Sequence, residues 1–196
     1  QARVGLAACG GPGPVDAQWW GQDRHRRGAR CQVVDQQGSG HLLAVDTSSR
    51  LRLLSGNGSS GFSAKTVASG WGSYGLVADV GAWDGDNRHD VVEREGSTLY
   101  YHPGKGTGGL FPRVAIGTGW DTVDLVSGTG DMDRDGHTDF LARTTGGALK
   151  LYRGDGKGKV LGTISLGSGW GAYRALLSPG DLTGDGRADL VGVHRR

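Results

Sequence analysis

The sequence contains few cysteines, prolines and methionines, and no long apolar run. Among 196 residues there are two cysteines, five prolines and one methionine. Two cysteines are too few for a metal site built from thiolates. The 39 glycines follow no G-X-Y triplet, which excludes a collagen chain. No apolar stretch approaches the roughly 20 residues of a membrane-spanning helix, so we expect no membrane span.

The sequence also lacks a large excess of charge of one sign. Lysine and arginine together number 22 against 20 acidic residues, which gives a formal net charge of +2. So small an excess gives no strong attraction to nucleic acid or to anionic membranes, and we expect no nucleic-acid partner. The first residues lack the apolar core of a signal peptide, so we expect any secretion signal to have been removed.

Glycine is the residue that the sequence contains in quantity. It makes up 39 of 196 residues, while the apolar fraction of 36% is too high for a disordered linker. So much glycine indicates many tight turns, as in an all-β protein of short strands. No stretch shows a convincing helical period.

The two cysteines, Cys9 and Cys31, flank an irregular segment. In an oxidising compartment a disulfide between them would close a loop and stabilise the fold by about 3 kcal/mol in the chain-entropy model. The alternative is two buried thiols. We favour the disulfide, because a cysteine pair around one irregular segment suits a secreted protein.

One pattern recurs along the chain, in four segments: 33–45, 82–94, 131–143 and 181–193. Their ninth residues, which are spaced 49, 49 and 50 residues apart, are His41, Asp90, Asp139 and Asp189. A tryptophan lies eleven residues before the first position of each of the last three segments: Trp71, Trp120 and Trp170. So regular a spacing indicates repeated structural units.

Short β-type runs lie between the glycine turns, about four in each repeat. We assign strand A to 75–80, 123–127 and 175–178, and strand B to 90–93, 139–142 and 189–193. Four short strands in about fifty residues are typical of a β-propeller blade, which must stack on its neighbours to bury both faces. We therefore predict an all-β propeller of four-stranded blades, with about three full blades and a partial one.

The motifs "GDMDRDGHTDFLAR", "GDLTGDGRADLVGV" and "LKLYRGDGKG" resemble the FG-GAP/VCBS repeats of secreted bacterial proteins, which are related to the integrin α-subunit propeller. The resemblance covers about residues 29–196. Residues 1–28 do not fit the repeat, although "RVGL" at 3–6 resembles the last strand of a blade. The resemblance implies an extracellular propeller module.

The aspartate-rich segments, which we call loops one to four, predict cation binding. Carboxylates at positions 1, 3, 5 and 9, with a glycine at position 6 for the sharp turn, suit Ca²⁺, a hard cation that takes six to eight oxygen ligands. In the family, position 7 offers its backbone carbonyl. The alternative is that the aspartates are solvated turn formers. An EF-hand is excluded, because its glutamate at position 12 is replaced by Ala142 and Gly192.

Carried over, the resemblance implies these ligands in loop three: Asp131, Asp133, Asp135, the carbonyl of His137, and Asp139. In loop four it implies Asp181, Thr183, Asp185, the carbonyl of Arg187, and Asp189. Loop two has Ala82 at position 1 and Asn87 at position 6, but keeps Asp84, Asp86 and Asp90. Loop one, with Val33, Gln37 and His41, has lost the set. We expect the metal to be structural.

Catalytic signatures are missing from the sequence. There is no G-x-S-x-G, no H-E-x-x-H and no Walker A motif, and the six histidines are scattered. Members of a Ser-His-Asp triad need only meet in space, so that alternative stays open. We expect a non-catalytic protein.

We expect a lectin-like module that binds carbohydrate or a cell-surface ligand. The resemblance includes lectins and targeting modules of secreted hydrolases. Trp71, Trp120 and Trp170 could stack on sugar rings, or each could fill the seam between two blades, which we favour. Trp19 and Trp20 lie outside the repeat and are freer to contact a ligand. The alternative is a protein-binding subunit or targeting module of a larger secreted enzyme or toxin assembly.

The blade count raises the question of ring closure. Three full blades (about 29–67, 75–116 and 123–166) precede strands A and B of a fourth. Propellers have roughly four to eight blades, and members of this family usually have about seven. We expect a second chain, either another copy or a separate polypeptide, to complete the ring. A closed four-bladed monomer would bend its sheets tightly and lack a strand.

Overall fold

The computed structural model describes residues 30–34, 41–56 and 62–195. These residues form β-strands and turns, together with two single-turn 3-10 segments at Trp71–Ser73 and Trp170–Ala172. The chain divides into two compact units, Gln1–Ser73 and Tyr74–Arg196. No helix in these described ranges is long and apolar enough to cross a membrane.

The first unit contains one antiparallel four-stranded sheet in the order β1-β2-β3-β4. Its strands are β1 (Arg30–Val34), β2 (His41–Val45), β3 (Arg50–Gly56) and β4 (Phe62–Ser69). Asp46 shapes the turn from β2 to β3, because its Oδ1 accepts hydrogen bonds from the backbone N–H groups of Ser48 and Arg50 at 3.0 Å each. This is the local side-chain bonding that makes aspartate a turn former.

The second unit contains two four-stranded sheets and one two-stranded sheet, all antiparallel. The first has β5 (Leu76–Gly81), β6 (Asp90–Glu95), β7 (Thr98–His102) and β8 (Val114–Thr118). The next has β9 (Val123–Gly130), β10 (Asp139–Thr144), β11 (Leu149–Gly154) and β12 (Val160–Ser165). The last has β13 (Tyr173–Gly180) and β14 (Asp189–His194).

The predicted all-β fold of short four-stranded blades is confirmed. The predicted A strands correspond to β5, β9 and β13, and the predicted B strands to β6, β10 and β14. Within the second unit β9 lies beside both β5 and β13, so successive sheets stack through their first strands. Three complete sheets followed by a two-stranded one match the predicted count of blades.

Aromatic side chains fill the seam between the β5–β8 and β9–β12 sheets. Trp83 and Phe140 are fully buried, and their ring centroids lie 5.0 Å apart. Phe140 stacks on Tyr152 at 5.2 Å, and Tyr152 contacts Trp120 at 4.7 Å. Aromatic pairs at these distances add to the stabilisation from burial alone. This seam is the main core of the second unit.

A second, aliphatic seam joins the β9–β12 sheet to β13 and β14. Leu141, Leu149, Leu151 and Leu176 are buried there. Because successive side chains of a strand point to opposite faces, Phe140 serves the first seam while its neighbour Leu141 serves the second. Strand β10 is therefore buried on both faces, which explains the apolar run at residues 140–142.

The tryptophan of each repeat is tied to the hairpin that precedes it. The backbone N–H of Trp71 donates to the carbonyl of Ser49 at 2.8 Å. Trp120 and Trp170 make the same bond to Ser97 and Gly147, at 2.9 and 3.0 Å. The spacing of the tryptophans along the sequence thus has a counterpart in a repeated backbone contact.

Several predicted features lie outside the described residues. They are the segment 1–28 with its predicted strand at 3–6, Trp19 and Trp20, Cys9, and residues 35–40 of loop one. The backbone of Cys31 is described, and it pairs with Ala44 between β1 and β2. The Cys9–Cys31 disulfide therefore stays a prediction.

Candidate metal centre

Each described aspartate loop joins strand A of a blade to strand B. Position 6 has a left-handed backbone in all three, with φ of 89° at Gly136 and 79° at Gly186. Asn87 takes the same position in loop two, with φ of 61°. Asparagine tolerates this conformation better than most residues do. The replacement of glycine in loop two therefore preserves the turn.

The aspartate at position 9 anchors its loop to the rest of the blade. Asp90 and Asp139 are fully buried. Asp90 accepts a hydrogen bond from the N–H of Gly104 at 2.8 Å, and Asp139 accepts one from Gly154 at 3.1 Å. The second oxygen of Asp139 accepts the N–H of Met132 at 3.0 Å. Both aspartates thus connect the loop to the end of the third strand of the same sheet.

Loops two and three bring carboxylates together closely enough to hold a metal ion. Asp84, Asp86 and Asp90 each offer an oxygen, and these atoms lie within 4.8 Å of one another. The second such set is Asp131, Asp133 and Asp139. Both sets consist of oxygen donors alone, which is the chemistry that Ca²⁺ prefers. The residues present therefore fit a hard cation.

The electrostatics of these loops also favour a cation. Burial raises the pKa of Asp90 to about 7, and the carboxylate of Asp84 adds to the shift while the N–H of Gly104 opposes it. Burial likewise raises the pKa of Asp84 and of Asp139. Desolvated, mutually repelling carboxylates are destabilised in their charged form. A bound cation would relieve that repulsion.

Asp135 is not part of the converging set in loop three. Its Oδ2 accepts a hydrogen bond from Nη2 of Arg153 at 2.9 Å, and Nε of Arg153 donates to Asp133. The resemblance predicts that His137 offers its backbone carbonyl at position 7. The contact that the structure shows is a hydrogen bond from its backbone N–H to Oδ1 of Asp135 at 3.0 Å. Arg153, which belongs to β11, thus places a cation beside the carboxylates of loop three.

Loop four keeps the left-handed turn at position 6, but its carboxylates do not form a set of three that lie close together. Within the described ranges, loops two and three alone hold three mutually close carboxylates. Asp181 accepts N–H bonds from Gly186 and Gly184 at 2.7 and 2.6 Å, and the bond from Gly186 contributes most to a lowered pKa. Asp189 accepts the N–H of Thr183 at 2.9 Å. In this loop the aspartates organise the backbone, as the turn-forming alternative requires.

The remaining two predicted ligands of loop four are Asp185 and Arg187. The N–H of Arg187 donates to Oδ1 of Asp185 at 2.9 Å, the counterpart of the His137–Asp135 bond in loop three. Residues 181–187 are exposed. The repeat therefore reproduces the backbone of the loop, while the spatial grouping of its side chains differs between blades.

The tryptophans divide by burial. Trp71 and Trp120 are 4% and 6% exposed, so their ring faces are covered by protein. Trp170 is half-buried, and its Nε1 donates to the carbonyl of Leu166 at 3.0 Å. This placement favours packing over sugar stacking for the first two.

Sequence reasoning missed Trp83 and Arg153. Trp83 occupies position 2 of loop two and is fully buried in the first seam. The corresponding residues in loops three and four are Met132 and Leu182, so an apolar residue at position 2 was the available signal. Arg153 gave no such signal, because its partners lie 18 and 20 residues away.

Comparison with known proteins agrees with the repeat. The FG-GAP-like repeat family matches residues 131–192, which include loops three and four. No curated protein sequence matches the chain. Among solved structures, an Agrocybe aegerita lectin that recognises non-reducing terminal N-acetylglucosamine superposes with a TM-score of 0.55 at 17% identity.

The superposition covers 84% of this chain and 47% of the lectin, so the chain spans about half the length of that protein. At this identity the likeness concerns the fold. The spacing of the repeat, the stacked four-stranded sheets and the matched family agree with one another. Residues 131–192 match the FG-GAP-like repeat family, and the antiparallel four-stranded sheets of this chain are those of a β-propeller-like fold.

Proposed function

We propose that this chain is a non-catalytic, calcium-stabilised, secreted propeller module that binds carbohydrate or a cell-surface ligand. The observation that carries the calcium role is the convergence of three carboxylates in loop two and three in loop three. The carbohydrate role is supported by the fold shared with a lectin.

Calcium would act on the fold. Asp84, Asp86 and Asp90 would hold it in loop two, and Asp131, Asp133 and Asp139 in loop three. The ion would neutralise carboxylates that burial and mutual repulsion otherwise destabilise. Since Asp90 and Asp139 also bond to Gly104 and Gly154, an ion there would tighten the connection between the A–B loop and the end of the third strand of the blade.

Isothermal titration of the chelator-treated protein with CaCl₂ tests this role. We expect saturable binding, with MgCl₂ as the competing ion. Mg²⁺ demands near-octahedral geometry and gives up its waters reluctantly, so it should bind more weakly. A flat titration with CaCl₂ would contradict the calcium assignment.

Carbohydrate binding is tested on a glycan array, read with CaCl₂ and again with EDTA. Glycans that end in N-acetylglucosamine belong on the array, because the lectin of similar fold recognises that terminus. Binding that needs CaCl₂ would connect the metal to the ligand surface. An array without any bound glycan, on protein shown to be folded, would exclude the lectin role.

A protein-binding subunit is the second candidate, favoured by the last sheet. Its strand β14 pairs with β13 on one side, and the described residues place no strand on the other. Leu182 is 64% exposed and Val191 37% exposed. Val191 lies 50 residues after Leu141, which is fully buried in the preceding blade. A further polypeptide on this edge, either a second copy or a separate chain, would complete the ring.

Co-purification separates the two candidates. A protein that stays bound through size-exclusion chromatography, with no response to glycans, would favour the subunit. Glycan binding by the isolated chain would favour the lectin.

A further inference from the structure

Because loops two and three belong to repeated blades, the residues around them can be matched one to one. Gly104 and Gly154 are equivalent, because each donates its N–H to the position-9 aspartate of its own blade. The residues immediately before them are therefore equivalent too. They are Pro103 in the first case and Arg153 in the second. At this position the blade of loop two has the uncharged side chain of Pro103, and the blade of loop three has the positively charged guanidinium of Arg153.

Arg153 lies directly on two of the carboxylates in loop three. Its Nε donates to Oδ2 of Asp133, and its Nη2 donates to Oδ2 of Asp135 at 2.9 Å. The side chains of these two aspartates are 15% and 20% exposed. Charge-assisted bonds from a planar guanidinium to carboxylates are among the stronger hydrogen bonds in proteins.

Among the described residues, loop two has no comparable cation. Arg88 reaches Asp86 at 3.4 Å, but its side chain is 49% exposed. Such an exposed ion pair contributes little. Asp84 and Asp90 receive backbone N–H bonds from Asp86 and Gly104, neutral donors that leave their charge in place.

We propose that Arg153 is a built-in counter-cation that competes with calcium in loop three, so that loop two is the tighter of the two calcium sites. This inference rests on the proposed calcium role. Asp133 belongs both to the converging set and to the pair with Arg153. Ca²⁺ and the guanidinium carry like charge and share this carboxylate, so binding of the ion must displace or weaken the ion pair.

The same pairing gives loop three a stability of its own in the absence of calcium. Arg153 neutralises charge at Asp133 and Asp135, whereas Arg88, which is exposed, is the one cation that the described residues place against the aspartates of loop two. The two loops therefore respond differently to calcium removal. When calcium is removed, the carboxylates of loop two lose the cation that offsets their repulsion. Those of loop three still have the ion pairs to Arg153.

The test is calcium titration of a chain in which loop three is isolated. Asp84→Asn and Asp185→Asn weaken loops two and four, and Arg153→Gln is then added. We expect Arg153→Gln to tighten the remaining site by about two- to fivefold, the change that corresponds to loss of one competing, partly exposed ion pair. Lys150→Gln is the matched control, because it removes one positive charge from an exposed position of the same strand and should leave the affinity unchanged.

Two outcomes separate this inference from the proposed function. If the wild-type chain binds calcium but Arg153→Gln titrates like Lys150→Gln, the competition is refuted and the calcium role stands. If the wild-type chain and every variant fail to bind calcium, both are refuted.

Thermal melting provides a second readout that does not depend on resolving individual sites. In EDTA, Arg153→Gln should melt below the wild type, because Asp133 and Asp135 lose their counter-cation. In saturating CaCl₂ the difference should shrink or reverse. An equal deficit in both conditions would show that Arg153 is structural only and would overturn the proposal.

Discussion

The guanidinium of Arg94 donates a hydrogen bond to the backbone carbonyl of Trp120 at 3.0 Å. In the next blade Arg143 makes the same bond to Trp170 at 3.1 Å. Arg94 also donates to the carbonyls of Asp121 and Val123, so one side chain caps an entire turn. Each arginine belongs to strand B of one blade, and each turn leads into strand A of the next. These contacts fix successive blades to one another.

Replacing Arg143 should therefore destabilise the second unit. The residue is 2% exposed, and besides Trp170 it pairs with both carboxylate oxygens of Asp124, at 2.9 and 3.0 Å. The side chain of Asp124 is itself 33% exposed, so the main loss is the hydrogen bonds that the buried guanidinium donates to the carbonyls of Trp170 and Tyr173. Leaving buried acceptors without a donor costs about 1–3 kcal/mol. We expect Arg143→Met to lower the free energy of unfolding by about 1–3 kcal/mol, measured by urea denaturation followed by circular dichroism.

Lys150→Met is the control for Arg143→Met, because it makes a similar exchange of a cation for an apolar chain at an exposed position of the adjacent strand. It should change the free energy of unfolding by less than about 0.5 kcal/mol. Equal denaturation midpoints for Arg143→Met and the wild type would contradict the role of Arg143.

The strands and loops of this fold could be predicted because the sequence repeats. Asp90, Asp139 and Asp189 keep a period of 49 or 50 residues, and that period sets strand A, the loop and strand B in register. The repeat could not show which carboxylates converge. That depends on side chains brought in from the other strands of the sheet, such as Arg153, and on burial that differs between Asp139 and the more exposed Asp189.

Calcium should raise the melting temperature of the wild-type chain, and Asp84→Asn should reduce the rise. A ligand at about 100 times its dissociation constant stabilises a fold by roughly 2.7 kcal/mol. In EDTA, Asp84→Asn should melt at or above the wild type, because it removes a carboxylate whose charged form burial disfavours. Differential scanning fluorimetry in CaCl₂ and in EDTA measures both effects.

Asp121→Asn is the matched control for Asp84→Asn, since it changes an exposed aspartate outside the loops. It should leave the response to calcium intact. A melting temperature indifferent to EDTA in the wild type would remove the metal from both loops.

Trp120→Ala should destabilise the fold more than Trp170→Ala does. Trp120 is 6% exposed and packs against Tyr152 and Phe140, at centroid distances of 4.7 and 6.0 Å. Removal of a buried aromatic ring lowers the free energy of unfolding by about 3–5 kcal/mol. Because Trp170 is half-buried, its removal should lower the free energy of unfolding by less. Chemical denaturation ranks the two. The reverse order would contradict the assignment of Trp120 to the seam.

The segment of residues 10–30, which carries Trp19, Trp20 and the basic run "RHRR", should serve ligand binding rather than folding. Deletion of residues 11–29 should leave the far-ultraviolet spectrum and the melting temperature nearly unchanged while weakening binding to a glycan or protein partner. Trp19→Ala combined with Trp20→Ala is the finer variant. Binding equal to that of the wild type would remove this segment from the ligand surface.

Association with another chain should be visible in light scattering. The face of Val191 is the counterpart of the face on which Leu141 is fully buried by the next blade, and β14 leaves one edge without a strand among the described residues. An apolar face beside an open strand edge favours pairing with another polypeptide. We expect a purified sample at micromolar concentration to scatter as a dimer or larger species, or to need a separate partner for solubility.

Val191→Lys provides the variant for this experiment, since a charge on the exposed face should oppose docking while leaving the buried Leu176 and its seam in place. We expect it to shift the scattering mass toward the monomer without lowering the melting temperature of the monomeric fraction. Lys150→Gln, on the preceding sheet, should leave the mass unchanged. A wild-type chain that stays a soluble monomer at micromolar concentration would refute completion of the ring by a second chain, because the exposed face would then be stable in water by itself.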